Sequence, residues 1–186
     1  MKLRYNSPVI LSLTLLSTAV LVLNQTIFPW LIPSFFSSPA NFGFLSSLNP
    51  IFYFRLVLYI MGHANWAHLA GNFILILIIG PLIEEKYGSK MLAAMIILTA
   101  FVTGFLNTFL FGISLVGASG IVFMLIVLAS FTDFRKGEIP VTFILVVILF
   151  LMPELAKGFE KDNISQFGHI LGGVGGGVFG FLFKKE

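Results

Sequence analysis

Apolar stretches recur along this chain at close to the ~20 residues that a helix needs to cross the hydrocarbon of a bilayer. They lie at about 8–30, 66–84, 89–112, 116–133, 139–156 and 166–183. The pattern predicts six transmembrane helices, hence an all-α membrane protein built as one membrane domain over 1–186. Short connections join these stretches except for one long segment, about 31–65, which carries Pro33, Ser37-Ser38-Pro39 and Asn49-Pro50, and then the apolar run Ile51 to Met61. About 11 helical residues reach only ~16 Å, too little to cross. The Phe52, Tyr53, Phe54, Arg55 and Tyr59 of that run suit a helix lying half-embedded at the headgroup level of the outer face.

Composition agrees with the pattern. Hydrophobic residues make up 58% and charged ones 10% of the chain, with a mean hydropathy of +1.01, which is outside the range of soluble domains. A cytoplasmic N-terminus puts Lys2, Arg4, Lys86, Lys90, Arg135, Lys136, Lys184 and Lys185 on the inner side and Arg55, Lys157 and Lys161 on the outer. Eight cations against three is a positive-inside bias, with both termini cytoplasmic. The net charge of +3 is thereby read as a topology signal toward the lipid bilayer, and no nucleic-acid partner is implied. The first apolar stretch outruns a signal-peptide core and no small-x-small cleavage pattern follows it, so it reads as a span. With no cysteine in this sequence, disulfides and cysteine catalysis are excluded.

With that orientation the second, fourth and sixth spans run inward from the outer face, and their first turns hold the polar side chains. The second starts with His63, His68 and Asn72, the fourth with Ser119 in Gly117-Ala118-Ser119-Gly120, and the sixth with His169. At 1.5 Å per residue, Ser119 and His169 lie about one turn below the outer ends of their spans. Polar groups at membrane depth are costly and usually functional. A hydroxyl and an imidazole are the minimum set for serine-type acyl transfer. A Gly-x-Ser-Gly string also arises by chance in a chain rich in glycine and serine, so the convergence carries the reading rather than the string.

His68 and Asn72, four apart, share one helix face, and both can donate hydrogen bonds. They can bond loop carbonyls at the membrane edge, or they can form an oxyanion site with the backbone N–H of Ser119. His63 lies five residues before His68 and is expected to point off that face, as a structural residue of the loop. In the sixth span Gly168, Gly172, Gly176 and Gly180 recur every four residues, with Gly173 and Gly177 widening the stripe and His169 beside it. Such stripes let helix backbones approach closely. If the neighbour is the fourth span, Ser119 and His169 come within hydrogen-bonding reach.

Glu84, in Gly80-x3-Glu84-x3-Gly88 at the far end of the second span, is expected to bond a loop or a neighbouring helix, a membrane thickness from Ser119. Glu85, Lys86, Asp133, Arg135, Lys136 and Glu138 read as interface and loop charges. Near the outer mouth the acids are Glu154, Glu160 and Asp162, none spaced to orient His169, which favours a dyad over a triad. A transporter using His63, His68 and His169 requires polar residues continuing inward, and the apolar spans lack them. A zinc protease is disfavoured because no His-Glu-x-x-His string occurs, so neither metal nor cofactor is expected.

In combination, His63-x4-His68-x3-Asn72, Gly80-x3-Glu84-x3-Gly88, Gly117-Ala118-Ser119-Gly120 and His169-x2-Gly172-x3-Gly176 resemble the rhomboid family of intramembrane serine proteases, and Phe54-Arg55 resembles the aromatic-Arg pair of that family's first outer loop. The resemblance covers about 51–183 and implies a six-helix rhomboid-like core without an added seventh helix. It implies that Ser119 is the nucleophile and His169 the general base, with His68, Asn72 and the Ser119 N–H as oxyanion hole. Gly117, Gly120, Gly172, Gly176, His63, Phe123, Arg55 and Glu84 are then supporting residues. It further implies single-span membrane proteins as substrates, cut in or next to their membrane segments, and a home in a bacterial cytoplasmic membrane. Phe123 departs from the Tyr that many family members carry four residues after the nucleophile. The alternative is a catalytically inactive rhomboid-like factor that binds transmembrane helices. Oligomeric state is not encoded.

Overall fold

The computed structural model describes residues 5–43, 47–131, 141–146, 148–149 and 164–183. Lys2, Arg4, Asp133, Arg135, Lys136, Glu138, Glu154, Lys157, Glu160, Lys161, Asp162, Lys184, Lys185 and most of the fifth predicted span lie outside the described residues. Helices α1 (Pro8–Thr26), α2 (Leu31–Phe35), α3 (Pro50–Leu58), α4 (Trp66–Tyr87), α5 (Ser89–Leu110), α6 (Ser119–Ser130), α7 (Val141–Val146) and α8 (Ile164–Leu182) follow in chain order, and a 3-10 turn at Tyr59–Met61 extends α3. Among the described residues α1, α4 and α5 are long and apolar enough to cross a membrane.

Local chemistry sets the helix ends. Pro8 and Pro50 occupy first-turn positions, where a missing N–H costs nothing. The Asn49 side chain accepts from Ile51 N at 2.9 Å, and Asn65 caps α4 by accepting from His68 N at 2.8 Å. Glu84 behaves as its position predicted. One carboxylate oxygen accepts from Val9 N at 3.0 Å and from the Ser89 hydroxyl at 2.7 Å, and the other accepts from Ile10 N at 3.1 Å. A carboxylate from α4 thus serves the free N–H groups and the positive end of the α1 dipole. Gly80, one turn earlier, lets the Ile10 side chain lie against the α4 backbone.

The central element is α6, apolar all round, with Ile121, Val122 and every residue from Met124 to Leu128 buried. It runs for 12 residues, about 18 Å, and its buried residues place it inside the bundle. Helix α8 packs closest to it. A side-chain carbon on Gly172 would collide with the Gly120 carbonyl, one on Gly176 with the Met124 carbonyl, and one on Gly180 with the Phe131 ring. The glycine stripe is therefore spent on the fourth predicted span, and backbone lies on backbone. Helix α4 covers another side of α6, α5 touches both α6 and α8, and α1 leans on α4.

Several helix boundaries differ from the sequence pattern by two to four residues, and two of them have a local cause. The first stretch ends as helix at Thr26, after which Phe28–Trp30 turns into the short α2. The fourth begins at Ser119, not 116, because the preceding segment is drawn out of helical geometry. Gly117 takes φ +116, the left-handed side that favours glycine, and its N–H bonds Tyr59 O at 3.0 Å. The long connecting segment is held to the bundle. Arg55 donates from Nε to Ser37 O (2.8 Å) and from Nη2 to Ser37 Oγ (3.0 Å) and Pro33 O (3.2 Å). On α3, Phe52 and Leu56 face inward while Ile51, Tyr53 and Phe54 are exposed.

Candidate functional site

Ser119 opens α6, so its own N–H is one of the four that a helix leaves without an internal partner, at the positive end of the helix dipole. Where α8 crosses, a side-chain carbon on Gly120 would stand 3.1 Å from the Gly168 carbonyl. Ser119 precedes Gly120 and His169 follows Gly168, so both residues are next in the chain to the same crossing. Phe123, one turn beyond Ser119 on the same face of α6, stacks on His169 with centroids 4.5 Å apart and planes 9° apart. The imidazole is thereby held flat against the helix that carries the serine. A small cavity of about 40 Å³ beside Ser119 is lined by Tyr59, Thr103, Leu115, Gly117, Gly120 and Gly168 among others.

Helix α4 brings the donors. A side-chain carbon on Gly117 would lie 2.7 Å from the His68 ring and 3.6 Å from the Asn72 amide nitrogen, so both side chains rest against the backbone two residues before Ser119. Only glycine meets both demands at this position, the positive φ and the close approach. His68 is half-buried and Asn72 buried.

His63 departs from its expected place. It was expected to point away from His68 and Asn72, yet the Asn72 amide donates to its Nε2 at 3.1 Å, and its ring meets the His68 ring edge-on at 5.0 Å. Helical spacing does not apply to it, because α4 starts only at Trp66 and the chain before the Asn65 cap folds back over the first turn. Its Nδ1–H donates to Met61 O at 3.3 Å, which assigns the neutral tautomer with Nε2 as acceptor. His63 is fully buried, and that burial, reinforced by the neighbouring His68, pushes it down to about 4 against the opposing pull of the Met61 carbonyl. A neutral His63 thus accepts one of the two amide protons of Asn72 and leaves the other for the site.

Glu84 and Arg55 bind backbone groups of other segments. The carboxylate binds the start of α1, and the guanidinium binds the 33–38 strap. Sequence reasoning missed Ser38, Tyr59, Thr103 and Leu115, which line the site or hold its backbone. Ser38 belongs to a Ser-Ser-Pro string and Tyr59 to an aromatic run, and no spacing rule connects either with residue 119. Among the described residues no three His, Asp or Glu side chains converge as metal ligands would.

The family model of the rhomboid domain matches residues 52–186. The chain is 34% identical over 133 residues, 68% of its length, to the rhomboid protease GluP of Bacillus subtilis (strain 168). It spans 25% of the length of that relative.

Proposed function

The chain belongs to the rhomboid family and is an integral membrane protein, and from that membership we propose that it is a serine endopeptidase that hydrolyses peptide bonds in or next to the transmembrane segments of other membrane proteins. The observation that supports the reading is the close crossing at Gly120 and Gly168, next in sequence to Ser119 and His169, together with the stack of the imidazole on Phe123, one turn past Ser119.

In this reading His169 takes the proton from the Ser119 hydroxyl as the oxygen attacks the scissile carbonyl, and returns it to the leaving amine. The carbonyl oxygen becomes an oxyanion that receives hydrogen bonds from the Ser119 N–H, His68 and the free amide proton of Asn72. Two of the three donors are fixed before substrate arrives, the Ser119 N–H by the start of α6 and the Asn72 amide by His63. A helical carbonyl is already hydrogen-bonded, so the substrate must unwind locally before attack. Segments with weak helical propensity, on single-span proteins, are the fitting substrates. Six spans with the 31–65 segment half-embedded on the outer face, and both termini in the cytoplasm of a bacterium, complete the arrangement.

Cleavage of a generic single-span substrate by the purified protein in liposomes tests this. Ser119→Ala and His169→Ala are each expected to lower turnover about a thousandfold or more, while a chelator leaves it unchanged. Folded wild-type protein that retains transmembrane helices but never cuts them overturns the protease reading in favour of a helix-binding factor.

A further inference from the structure

The segment Ile113 to Ala118 leads into Ser119 without helix or strand of its own, so its backbone groups need partners from elsewhere. They come from the long connecting segment. Ser38 N donates to Leu115 O at 2.9 Å, and Leu115 N donates back to the Ser38 hydroxyl at 2.7 Å. Two residues on, Gly117 N reaches Tyr59 O at 3.0 Å. Ser38 is fully buried, so these bonds are shielded from competing water. It is also held from behind. The Arg55 guanidinium grips the carbonyl and hydroxyl of Ser37 and lies 3.4 Å from Ser38 O, and Thr108 Oγ1 donates to the carbonyl of Pro39 at 2.9 Å.

We propose that Ser38 is a positioning residue for Ser119. By pairing with both backbone groups of Leu115 it sets where the chain enters α6, and with it the hydroxyl and N–H of the nucleophile. The proposal rests on the reading of Ser119 as nucleophile. Its physical basis is a chain of fixed contacts from Arg55 through Ser37 and Ser38 to Leu115, four residues before the reacting oxygen. The Ser38 hydroxyl accepts from a backbone N–H, so an acceptor oxygen is what the position requires.

The test compares Ser38→Ala, Ser38→Thr and Ser38→Val in liposomes, with a single-span substrate and with a small fluorophosphonate that acylates an activated serine without docking a helix. Rates are taken per folded molecule. Thr and Val share a shape and differ in the hydroxyl. Ala and Val are expected to lower kcat and the labelling rate about tenfold, a fraction of the hundredfold that an ångström of misplacement costs, with KM within about twofold. Thr is expected to stay within about threefold of wild type. Equal rates in Thr and Val, or a change in KM alone, overturn the proposal. If Ala and Val do not fold, Arg55→Lys, which loses the forked grip, must show the same kcat loss, and an unchanged kcat there overturns it. Wild type that labels normally beside an unaffected Ala variant sinks this inference alone. Wild type that labels no better than Ser119→Ala sinks the nucleophile and this inference together.

Discussion

The imidazole of His169 lies flat on the ring of Phe123, centroids 4.5 Å apart and planes 9° apart. Because Phe123 is one turn past Ser119, this stack joins α8 to α6 within a turn of the serine. An aromatic pair contributes about 0.5–1.5 kcal/mol beyond its buried area. Phe123→Ala is therefore expected to lower kcat about tenfold by freeing the imidazole, while Phe123→Tyr, which keeps the ring, stays within about threefold of wild type. Single-turnover cleavage of both variants checks this, and an Ala variant as fast as wild type sinks it.

The close approach of α6 and α8 depends on missing side chains. A methyl at Gly172 meets the Gly120 carbonyl, a backbone atom that cannot swing aside. Gly172→Ala is expected to destabilise the protein by about 1–3 kcal/mol and to cut activity further than the loss of folded protein explains, because Ser119 and His169 move apart. Gly71→Ala is the control, since nothing lies near its added methyl. Similar unfolding and turnover in the two variants would contradict the packing argument.

Glu84 sits at the other end of α4 and satisfies two backbone N–H groups of α1. Glu84→Ala leaves buried donors without partners, a loss of about 1–3 kcal/mol or more. Cleavage per folded molecule is expected to remain within about twofold of wild type. A variant equally stable to heat, or one that is folded yet inactive, goes against a purely structural role.

His63 introduces an acid limb. Its folded value is about 4 against an ordinary 6.5, so the unfolded chain binds more protons between those values. The contribution is complete above pH 6.5, declines as pH falls through the window, and is lost below about 4. A proton on Nε2 would also face the Asn72 amide, donor against donor. The unfolding midpoint in detergent is expected to fall from pH 6.5 to pH 4 more steeply for wild type than for His63→Gln. Parallel curves would remove His63 as the cause.

The membrane helices and the spacing of the candidate residues are legible in the sequence. Apolar stretches of ~20 residues announce membrane helices because the bilayer offers backbone groups no other partners. His68 and Asn72 share a face because helix geometry repeats every four residues, and the glycine stripe marks a face that accepts a second backbone. The pairing of that stripe with α6 was a condition that the pattern could pose but not decide.

Position along the chain by itself determined the membrane helices, the four-residue spacings and the residues that could do chemistry, since each depends on local geometry or on transfer from water to lipid. Tertiary structure alone decided what joins distant segments. It set the start of α6 at Ser119, because Ser38 and Tyr59 pull 115–117 out of the helix. It turned His63 onto Asn72, because the loop before the Asn65 cap folds back over α4. Such contacts depend on which unsatisfied backbone groups and side chains come together once the helices pack, and no periodicity in the chain encodes them.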